Sequence, residues 1–131
     1  MKPAIEVQRT YTGAPWESKA AYCRAIRAGN HLFVTGTAPV ENGEVVFAGD
    51  PYRQARKCLE IIAGAIKPLG AEMRHIMRTR MFVTDISLWQ EFAKAHHEVF
   101  KDFPPTTSMV EVKALVDPAM LIEIEADGIV F

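Results

Sequence analysis

Apolar and polar residues alternate along several short stretches of the chain, which is the pattern of half-buried β-strands. The alternation runs through Tyr22, Arg24 and Ile26. It is interrupted at Gly29-Asn30 and resumes over residues 31–35, which predicts a hairpin. Five further stretches have strand character, and an Asn-Gly turn introduces the second of them. They cover residues 5–9, 44–49, 75–85, 108–115 and 120–130.

Two longer stretches repeat their apolar residues every three or four positions, and that spacing predicts amphipathic helices. In the first stretch, Asp50 can accept hydrogen bonds from free helix amides and Pro51 suits the first helical position. Pro68 and Gly70 end this helix, which should span about residues 51–67. Its predicted buried stripe contains Ala55, Cys58, Leu59, Ile62, Ala65 and Ile66.

The second helix is predicted within residues 85–103, where Ser87 and Gln90 have the spacing of a capping box. Its predicted inner face contains Trp89, Phe92, Ala93, His96, Val99 and Phe100. At His96, a core histidine with a satisfied ring nitrogen is favoured over a catalytic base.

The order of these elements is strands, helix, strand, helix, strands, and it predicts an α+β fold with a sheet of about six strands. Two helices can cover only one face of such a sheet. On the last strand, the residues expected to face the helices are Ile122, Ile124 and Ala126. The residues expected on the opposite face are Met109, Glu111, Leu121 and Glu123. Because this set is too mixed for a second core, a homo-oligomer that packs sheet faces together would resolve the conflict.

The composition is that of an ordinary water-soluble globular chain, with 49% hydrophobic residues, 24% charged residues and a net charge of -1. A length of 131 residues fits one domain that covers residues 1–131. The basic excess of duplex nucleic-acid binders is absent, so nucleic acid is not the expected partner. No stretch approaches the roughly 18 apolar residues of a membrane span, and none resembles a signal peptide, which favours a cytoplasmic location.

Cysteines, histidines and glycines give little support for a metal or a cofactor. Cys23 and Cys58 lack a CxxC spacing and are expected to be reduced structural thiols. His96 and His97 are adjacent, so on a helix their side chains diverge by about 100° and cannot bind one metal ion. The glycines form neither a GxGxxG motif nor a phosphate-binding loop. We therefore expect no metal and no cofactor.

Three carboxylates interrupt the apolar pattern of the last two strands: Glu111, Glu123 and Glu125. An acidic residue in such a strand must be paired, solvated or used in chemistry. If the two strands are antiparallel neighbours, Glu123 approaches a small pocket beside residues 105–109. A buried carboxyl there would have a raised pKa and could exchange protons or position a water molecule. An ion pair or simple exposure to solvent remains the open alternative.

Four segments, in register over nearly the whole chain, resemble one known family. They are YCRAIRAGNHLFVTG, GDPYRQARKCLEII, RTRMFVTDISLW and PPTTSMVEVKAL with LIEIEA. From about Tyr22 to Ala126 the sequence is similar to the RidA family, also called YjgF or L-PSP endoribonuclease-like. The resemblance implies a chorismate-mutase-like α+β fold of the bacillus type, a homotrimer and ligand clefts between subunits. It also implies hydrolysis of reactive enamines and imines without metal or cofactor, while other members are described as ribonucleases or translation inhibitors.

The functional residues of that family transfer onto this chain position by position. Tyr22 matches a cleft tyrosine, Thr35 before Gly36 matches a hydroxyl residue, and Glu123 in IEIEA matches a water-positioning glutamate. The resemblance therefore implies catalytic roles for Glu123 and Tyr22, and substrate contacts at Thr35 and Gly36.

Departures from the family pattern change the expected substrate. The family segment PARSCVEV is PPTTSMVEV here, so the arginine that clamps a substrate carboxylate becomes Thr107 and the accompanying cysteine becomes Met109. A cleft asparagine of the family aligns with Ala93. Threonine offers one donor and no charge, which puts the hydrolysis of imino acids in doubt. Arg24, on the same strand face as Tyr22, is a candidate replacement cation, and a plain surface arginine is the alternative.

The leading hypothesis is a RidA-like hydrolase that acts on a small imine, enamine or related metabolite that need not carry a carboxylate. Glu123 would orient or deprotonate a water molecule while Tyr22, Thr35 and Thr107 hold the substrate. The alternative is a small-molecule-binding or regulatory trimer that has lost catalysis. An endoribonuclease ranks third, because the sequence has no basic groove with interleaved aromatic residues.

Overall fold

The computed structural model describes residues 4–131, and within them the chain forms eight strands and three α-helices. In chain order these are β1 (Val7–Thr10), α1 (Pro15–Ala20), β2 (Ala25–Ala28), β3 (His31–Thr37), β4 (Val40–Glu41), β5 (Glu44–Val45), α2 (Pro51–Ile66), β6 (Ile76–Val83), α3 (Trp89–Phe100), β7 (Thr106–Glu111) and β8 (Ile122–Ile129). Every helix and strand predicted from the sequence is present. The short helix α1 has no counterpart in that prediction.

Six of the strands form one mixed sheet in the order β1-β2-β3-β8-β6-β7, which confirms the predicted α+β architecture. All neighbours are antiparallel except β6 and β7, which are parallel and joined through α3. The strands β4 and β5 form a separate hairpin around Asn42-Gly43. The last two strands, β7 and β8, are not the antiparallel neighbours that the sequence left as a possibility. The strand β6 lies between them and pairs with both.

The helix α2 forms as predicted from its capping residues. Asp50 Oδ1 accepts a hydrogen bond from the Arg53 amide at 3.0 Å, and Pro51 occupies the first turn. The helix ends at Ile66, and a short 3-10 turn leads to Gly70, whose left-handed backbone favours glycine. The predicted stripe is buried at every position, namely Ala55, Cys58, Leu59, Ile62, Ala65 and Ile66.

The start of α3 differs from its prediction. The carboxylate of Asp85 accepts hydrogen bonds from the amide and the hydroxyl of Ser87 at 3.0 and 2.6 Å, and a 3-10 turn precedes the helix. The predicted capping box of Ser87 and Gln90 is therefore wrong. Trp89 was also expected on the inner face, but it opens the helix and is 51% exposed. The buried residues of α3 are Phe92, Ala95 and Phe100, whereas Ala93, His96 and Val99 are half-buried.

The core lies between the two long helices and one face of the sheet. On β8 the buried residues of that face are Ile122, Ile124 and Ala126, as predicted. Placing Met109 on the opposite face is wrong, because the parallel register pairs it with the buried Met81 and it packs against the core. The next residue, Val110, is exposed.

The other face of the sheet has the mixed character expected from the sequence. Phe33 is 48% exposed and Ile129 is 44% exposed on it. Between them, Arg80 Nη1 lies 3.1 Å from carboxylate oxygens of both Glu125 and Asp127. The two long helices α2 and α3 pack on the opposite face of the sheet, so these apolar and charged groups are available for contact with other molecules.

Candidate active site

A cleft of about 710 Å³ opens beside the end of β3 and the start of β8. Its lining comes from residues 12–16, the end of β3, the hairpin residues 40–43 and the segment before β8. Ile61 of α2 and Glu123 of β8 complete the wall. Because polar groups converge in a concave surface that is more apolar than polar, this cleft is the candidate site.

The carboxylate of Glu123 lies directly against the backbone of Gly36. A Cβ atom at position 36 would come within 2.9 Å of the Glu123 Cδ and within 3.0 Å of its Oε2. The pairing of β3 with β8 shifts register between Val34 and Thr37, so Gly36 lies in an irregular part of the strand. Only glycine leaves room for the carboxylate in this position.

Glu123 differs from the other two carboxylates of the last strands because it has no hydrogen-bond or ion-pair partner among the described residues. Within residues 4–131 no group donates a hydrogen bond to it. In contrast, Glu111 accepts a hydrogen bond from a backbone amide at 3.0 Å, and Glu125 pairs with Arg80. Burial raises the pKa of Glu123; the charge of Arg24 opposes this shift and that of Glu125 adds to it. Such a carboxylate has the free oxygens and the pKa direction of a general base.

Arg24 also lines the cleft, but its side chain is only 6% exposed. Its Nε and Nη2 atoms lie 3.0 and 2.9 Å from Glu17 Oε2. Its Nη1 donates to the Gly36 carbonyl at 2.9 Å and to Thr37 Oγ1 at 3.4 Å. The alternative of a plain surface arginine is therefore wrong.

Glu17 fixes that guanidinium from the short helix α1. The buried carboxylate of Glu17 also accepts hydrogen bonds from the Thr12 amide at 3.0 Å, the Thr12 hydroxyl at 2.6 Å and the Gly13 amide at 3.1 Å. Burial by itself raises the pKa of Glu17, but the hydrogen bonds from Thr12 and Arg24 outweigh it and leave the pKa below its ordinary value. The Glu17 carboxyl is therefore ionised at neutral pH.

Aromatic and aliphatic side chains form an apolar part of the cleft surface. The Arg24 guanidinium carbon lies 5.6 Å from the centre of the Tyr22 ring, which is a cation–π distance. Half-buried Trp16 and Ile61 and the buried Met120 line the same space. The cleft therefore combines one free carboxylate with apolar walls.

The predicted cleft residue Thr35 does not line the cleft, whereas Thr37 does. Thr37 Oγ1 donates to the Thr35 carbonyl at 2.7 Å. The amide of Thr35 donates to the Arg24 carbonyl at 3.0 Å, so this residue supports the wall through its backbone. The sequence does not reveal Thr37, because the register shift that follows Val34 decides which side chain faces the cleft.

Thr107 and Met109 lie on the edge strand β7, and neither lines the cleft of the same chain. Thr107 Oγ1 accepts a hydrogen bond from Thr79 Oγ1 at 2.7 Å. Thr79 Oγ1 also lies 2.8 Å from Nε2 of His96, whose pKa is lowered by burial. The prediction that His96 is a core histidine with a satisfied ring nitrogen is confirmed.

Four of the residues predicted for the site come together in this one cleft: Tyr22, Arg24, Gly36 and Glu123. Sequence reasoning missed Trp16 of α1, which lines the cleft, and Glu17 of α1, which holds Arg24 in the cleft wall. Pro15 followed by an acid in the first turn is a signal for a helix start. It does not reveal that the acid is buried against an arginine.

Residues 4–131 contain neither a cluster of metal-binding side chains nor a membrane-spanning helix. Among residues 4–131, no three His, Cys, Asp or Glu side chains come together in a way that could hold a metal ion. None of the helices in that range combines the length and the apolar character needed to span a bilayer. Cys23 and Cys58 are free thiols, half-buried and buried, as predicted.

Residues 12–130 match the protein family described as Endoribonuclease L-PSP. A RutC family protein of Sulfurisphaera tokodaii is 35% identical over 102 residues, which cover 76% of this chain and 81% of that protein. The 3-aminoacrylate deaminase RutC of Acinetobacter baylyi is 32% identical over 106 residues, which cover 80% of this chain and 83% of that protein.

The solved structures include one with a similar fold over nearly the whole chain. Rv2704 of Mycobacterium tuberculosis, a member of the YjgF/YER057c/UK114 family, superposes with a TM-score of 0.87 at 38% identity and covers 95% of this chain and 100% of its own. This similarity confirms the chorismate-mutase-like fold. The family match also spans every residue of the cleft. The chain therefore belongs to the Endoribonuclease L-PSP family, also known as the YjgF or RidA family.

Proposed function

We propose that this protein hydrolyses a reactive imine or enamine without a metal or a cofactor. The observation that carries the proposal is Glu123, a half-buried carboxylate with a raised pKa and, among the described residues, no hydrogen-bond partner. A 3-aminoacrylate deaminase among the relatives supports a deamination reaction. The cleft supplies a concave apolar surface around this carboxylate.

The proposed reaction adds one water molecule across the C=N bond. Glu123 takes a proton from water as the water oxygen attacks the imine carbon, and it passes that proton to the nitrogen to give a neutral carbinolamine. The second proton of the water then moves from the carbinolamine hydroxyl to the nitrogen as the C–N bond breaks, so the carbonyl forms and ammonia leaves. Water provides the carbonyl oxygen and two of the three hydrogens of ammonia, so no oxidant or reductant is required. An enamine enters the same sequence after it tautomerises to the imine.

The other predicted residues have supporting roles in this proposal. Tyr22 and the backbone around Gly36 hold the substrate beside Glu123. Arg24 opposes the rise in the Glu123 pKa, which helps the carboxylate to stay ionised at neutral pH. Thr35 acts through its backbone, because its amide and carbonyl connect Arg24 to Thr37.

The proposal includes a homotrimer with clefts between its subunits. The uncovered sheet face supports an assembly, because Phe33 and Ile129 expose apolar surface there. The edge strand β7 carries Thr107 away from the cleft of its own chain. In the proposed trimer a neighbouring copy brings this edge to the cleft, where Thr107 and Met109 contact the substrate.

Replacing Glu123 by glutamine tests the catalytic role. The amide keeps the size of the side chain but cannot accept a proton from water. We therefore expect hydrolysis to slow by about 10²- to 10⁴-fold, the usual contribution of a general base. Imines are generated in situ by an amine oxidase and by an amino-acid oxidase. The measured quantity is the rate of ammonia release above the uncatalysed rate.

Glu125→Gln is the matched control for that variant. Glu125 lies two residues further along the same strand face, but it is paired with Arg80 and lies outside the cleft. This variant should release ammonia at nearly the wild-type rate. Full activity in Glu123→Gln, or an equal loss in both variants, would refute the role of Glu123.

A small-molecule-binding role without catalysis is the second candidate, and position 107 favours it. The Thr107 hydroxyl is bonded to Thr79 at 2.7 Å, so it offers little to replace a carboxylate-clamping arginine. A thermal-shift screen with metabolites separates the two functions, because a binding protein gains stability from a ligand that it leaves unchanged. If every stabilising ligand is consumed, the binding-only function is ruled out.

Ribonuclease activity, which the family description names, ranks behind both. RNA binding relies on cationic groups that neutralise phosphates. The arginine of this cleft is buried against Glu17, and the chain has a net charge of -1. Neither feature favours a polyanionic substrate.

A further inference from the structure

The positive charge that lines the cleft is already balanced inside the protein. Two nitrogen atoms of Arg24 lie 2.9 and 3.0 Å from Glu17 Oε2. Its Nη1 donates twice, to the Gly36 carbonyl and to the Thr37 hydroxyl. Three of the five guanidinium N–H groups therefore donate hydrogen bonds within the chain, and Nη2 makes an ion-pair contact with Glu17. A ligand meets an ion pair without net charge.

The negative charges of the cleft are balanced with one exception. At the rim, Glu41 Oε1 lies 3.3 Å from Lys57 Nζ. Glu123 has no comparable partner among the described residues, and burial raises its pKa more than the charge of Arg24 lowers it. The cleft therefore presents one uncompensated carboxylate to its ligand.

The walls around this carboxylate suit an apolar side group. Trp16 and Tyr22 offer aromatic faces, and Ile61 and Met120 offer aliphatic surface. A volume of about 710 Å³ lies within the range of pockets that hold drug-sized ligands. Burial and stacking against these side chains would stabilise an aromatic or branched aliphatic group.

We propose that this cleft selects a carboxylate-free cation with an aromatic or branched aliphatic group, such as a protonated imine or amine, and that Glu17 sets this choice by neutralising Arg24. A carboxylate in the same place would meet Glu123 and find no free cation. The inference names the substrate class of the site and in that sense rests on the proposed function. It concerns binding, however, and is tested by binding alone.

Three probes of one shape measure the preference: 2-phenylethylammonium, 3-phenylpropionate and the neutral 2-phenylethanol. Their Kd values for the wild-type protein are determined by titration calorimetry at neutral pH. We expect the ammonium probe to bind at least about tenfold more tightly than the carboxylate, with the alcohol between them. Carboxylate binding that is as tight as ammonium binding would overturn the inference.

Glu17→Gln tests whether Glu17 sets the preference for a cationic ligand. The amide oxygen can still accept hydrogen bonds, but the negative charge is lost and Arg24 is left uncompensated. We expect the preference to reverse, with roughly tenfold tighter binding of 3-phenylpropionate and weaker binding of the ammonium probe. A preference that stays at the wild-type value in the folded variant would remove the role of Glu17.

The double variant Glu17→Gln/Arg24→Gln keeps the test available if the single variant does not fold. It removes both charges of the ion pair and leaves the net charge of the cleft unchanged. The ammonium preference should therefore stay near its wild-type value, and its loss would contradict the inference.

The failure of this inference is distinguishable from the failure of the proposed function. If the protein does not hydrolyse imines but still binds the ammonium probe more tightly than the carboxylate probe, only the catalytic proposal is refuted. Efficient imine hydrolysis with equal binding of carboxylate and ammonium probes would remove the inference alone.

Discussion

At the scale of single residues, Gly36 controls the position of Glu123 most directly. A Cβ atom at position 36 would lie 2.9 Å from the carboxylate carbon, so Gly36→Ala must displace that carboxylate. We expect kcat/KM for imine hydrolysis to fall by about 10²-fold, because a shift of about 1 Å in a catalytic group has effects of that size. Steady-state kinetics measure the loss, and thermal unfolding shows whether the variant is folded.

Gly64→Ala is the matched control for this substitution. Gly64 lies in α2, and a Cβ atom there meets no other atom within 4 Å. Alanine in a helix interior should raise stability by roughly 0.5–1 kcal/mol and leave activity unchanged. Wild-type activity in Gly36→Ala would contradict the steric dependence of Glu123 on this glycine.

The predicted site residues that line the cleft lie in segments that resemble the family in continuous register. Tyr22, Arg24 and Glu123 belong to this group. Thr37 was missed because a register shift in β3, which no local pattern reveals, decides its position. Glu17 was missed because its burial depends on contacts with Arg24 and with the loop before α1.

At the scale of elements, the ion pair of Glu17 and Arg24 attaches α1 to the sheet. Glu17→Ala leaves a buried guanidinium without its counter-ion, so we expect the free energy of unfolding to drop by roughly 3–5 kcal/mol. Urea titration measures this loss. Ser18→Ala, at an exposed neighbouring position of the same helix, is the control and should change stability little.

The same pair has a pH signature. The pKa of Glu17 in the folded chain lies below its ordinary value of 4.5, so its contribution is fully present above that value and is lost as the pH falls through the folded pKa. The stability difference between wild type and Glu17→Ala should therefore shrink at low pH. A difference that is constant from neutral to acidic pH would contradict the pairing.

The helix boundaries show which parts of an element can be predicted from neighbouring residues in the sequence. The start of α2 was predictable because Asp50 and Pro51 act within one turn. The start of α3 was not predictable in this way. Asp85, rather than Ser87, accepts the capping hydrogen bond, and it caps a 3-10 turn that precedes the helix. The position of β7 beside β6 depends on the connection through α3. The alternation of apolar and polar residues within a strand does not specify which strand it pairs with.

At the scale of the whole molecule, the mixed and uncovered sheet face is central to the proposed trimer. Phe33→Lys places a charge in apolar surface that is 48% exposed in the single chain. We expect this variant to sediment as a single chain at concentrations where the wild type sediments as a trimer, because burying an unpaired ammonium is costly. Analytical ultracentrifugation measures the mass.

Trp89→Lys provides the control for the assembly prediction. Trp89 is similarly exposed, at 51%, but it lies at the start of α3 on the helix layer. Its substitution should leave the sedimenting mass unchanged. A wild type that sediments as a single chain would contradict the proposed assembly, as would an equal effect of both lysine variants.

The pH dependence of kcat/KM, compared between the wild type and Glu123→Gln, tests the central claim most directly. If the Glu123 carboxylate is the base, the rate above the uncatalysed reaction rises with pH through a pKa that burial raises above its ordinary value of 4.5. In the glutamine variant this rise should disappear together with most of the rate. The same pH dependence at the full rate in Glu123→Gln would contradict the account.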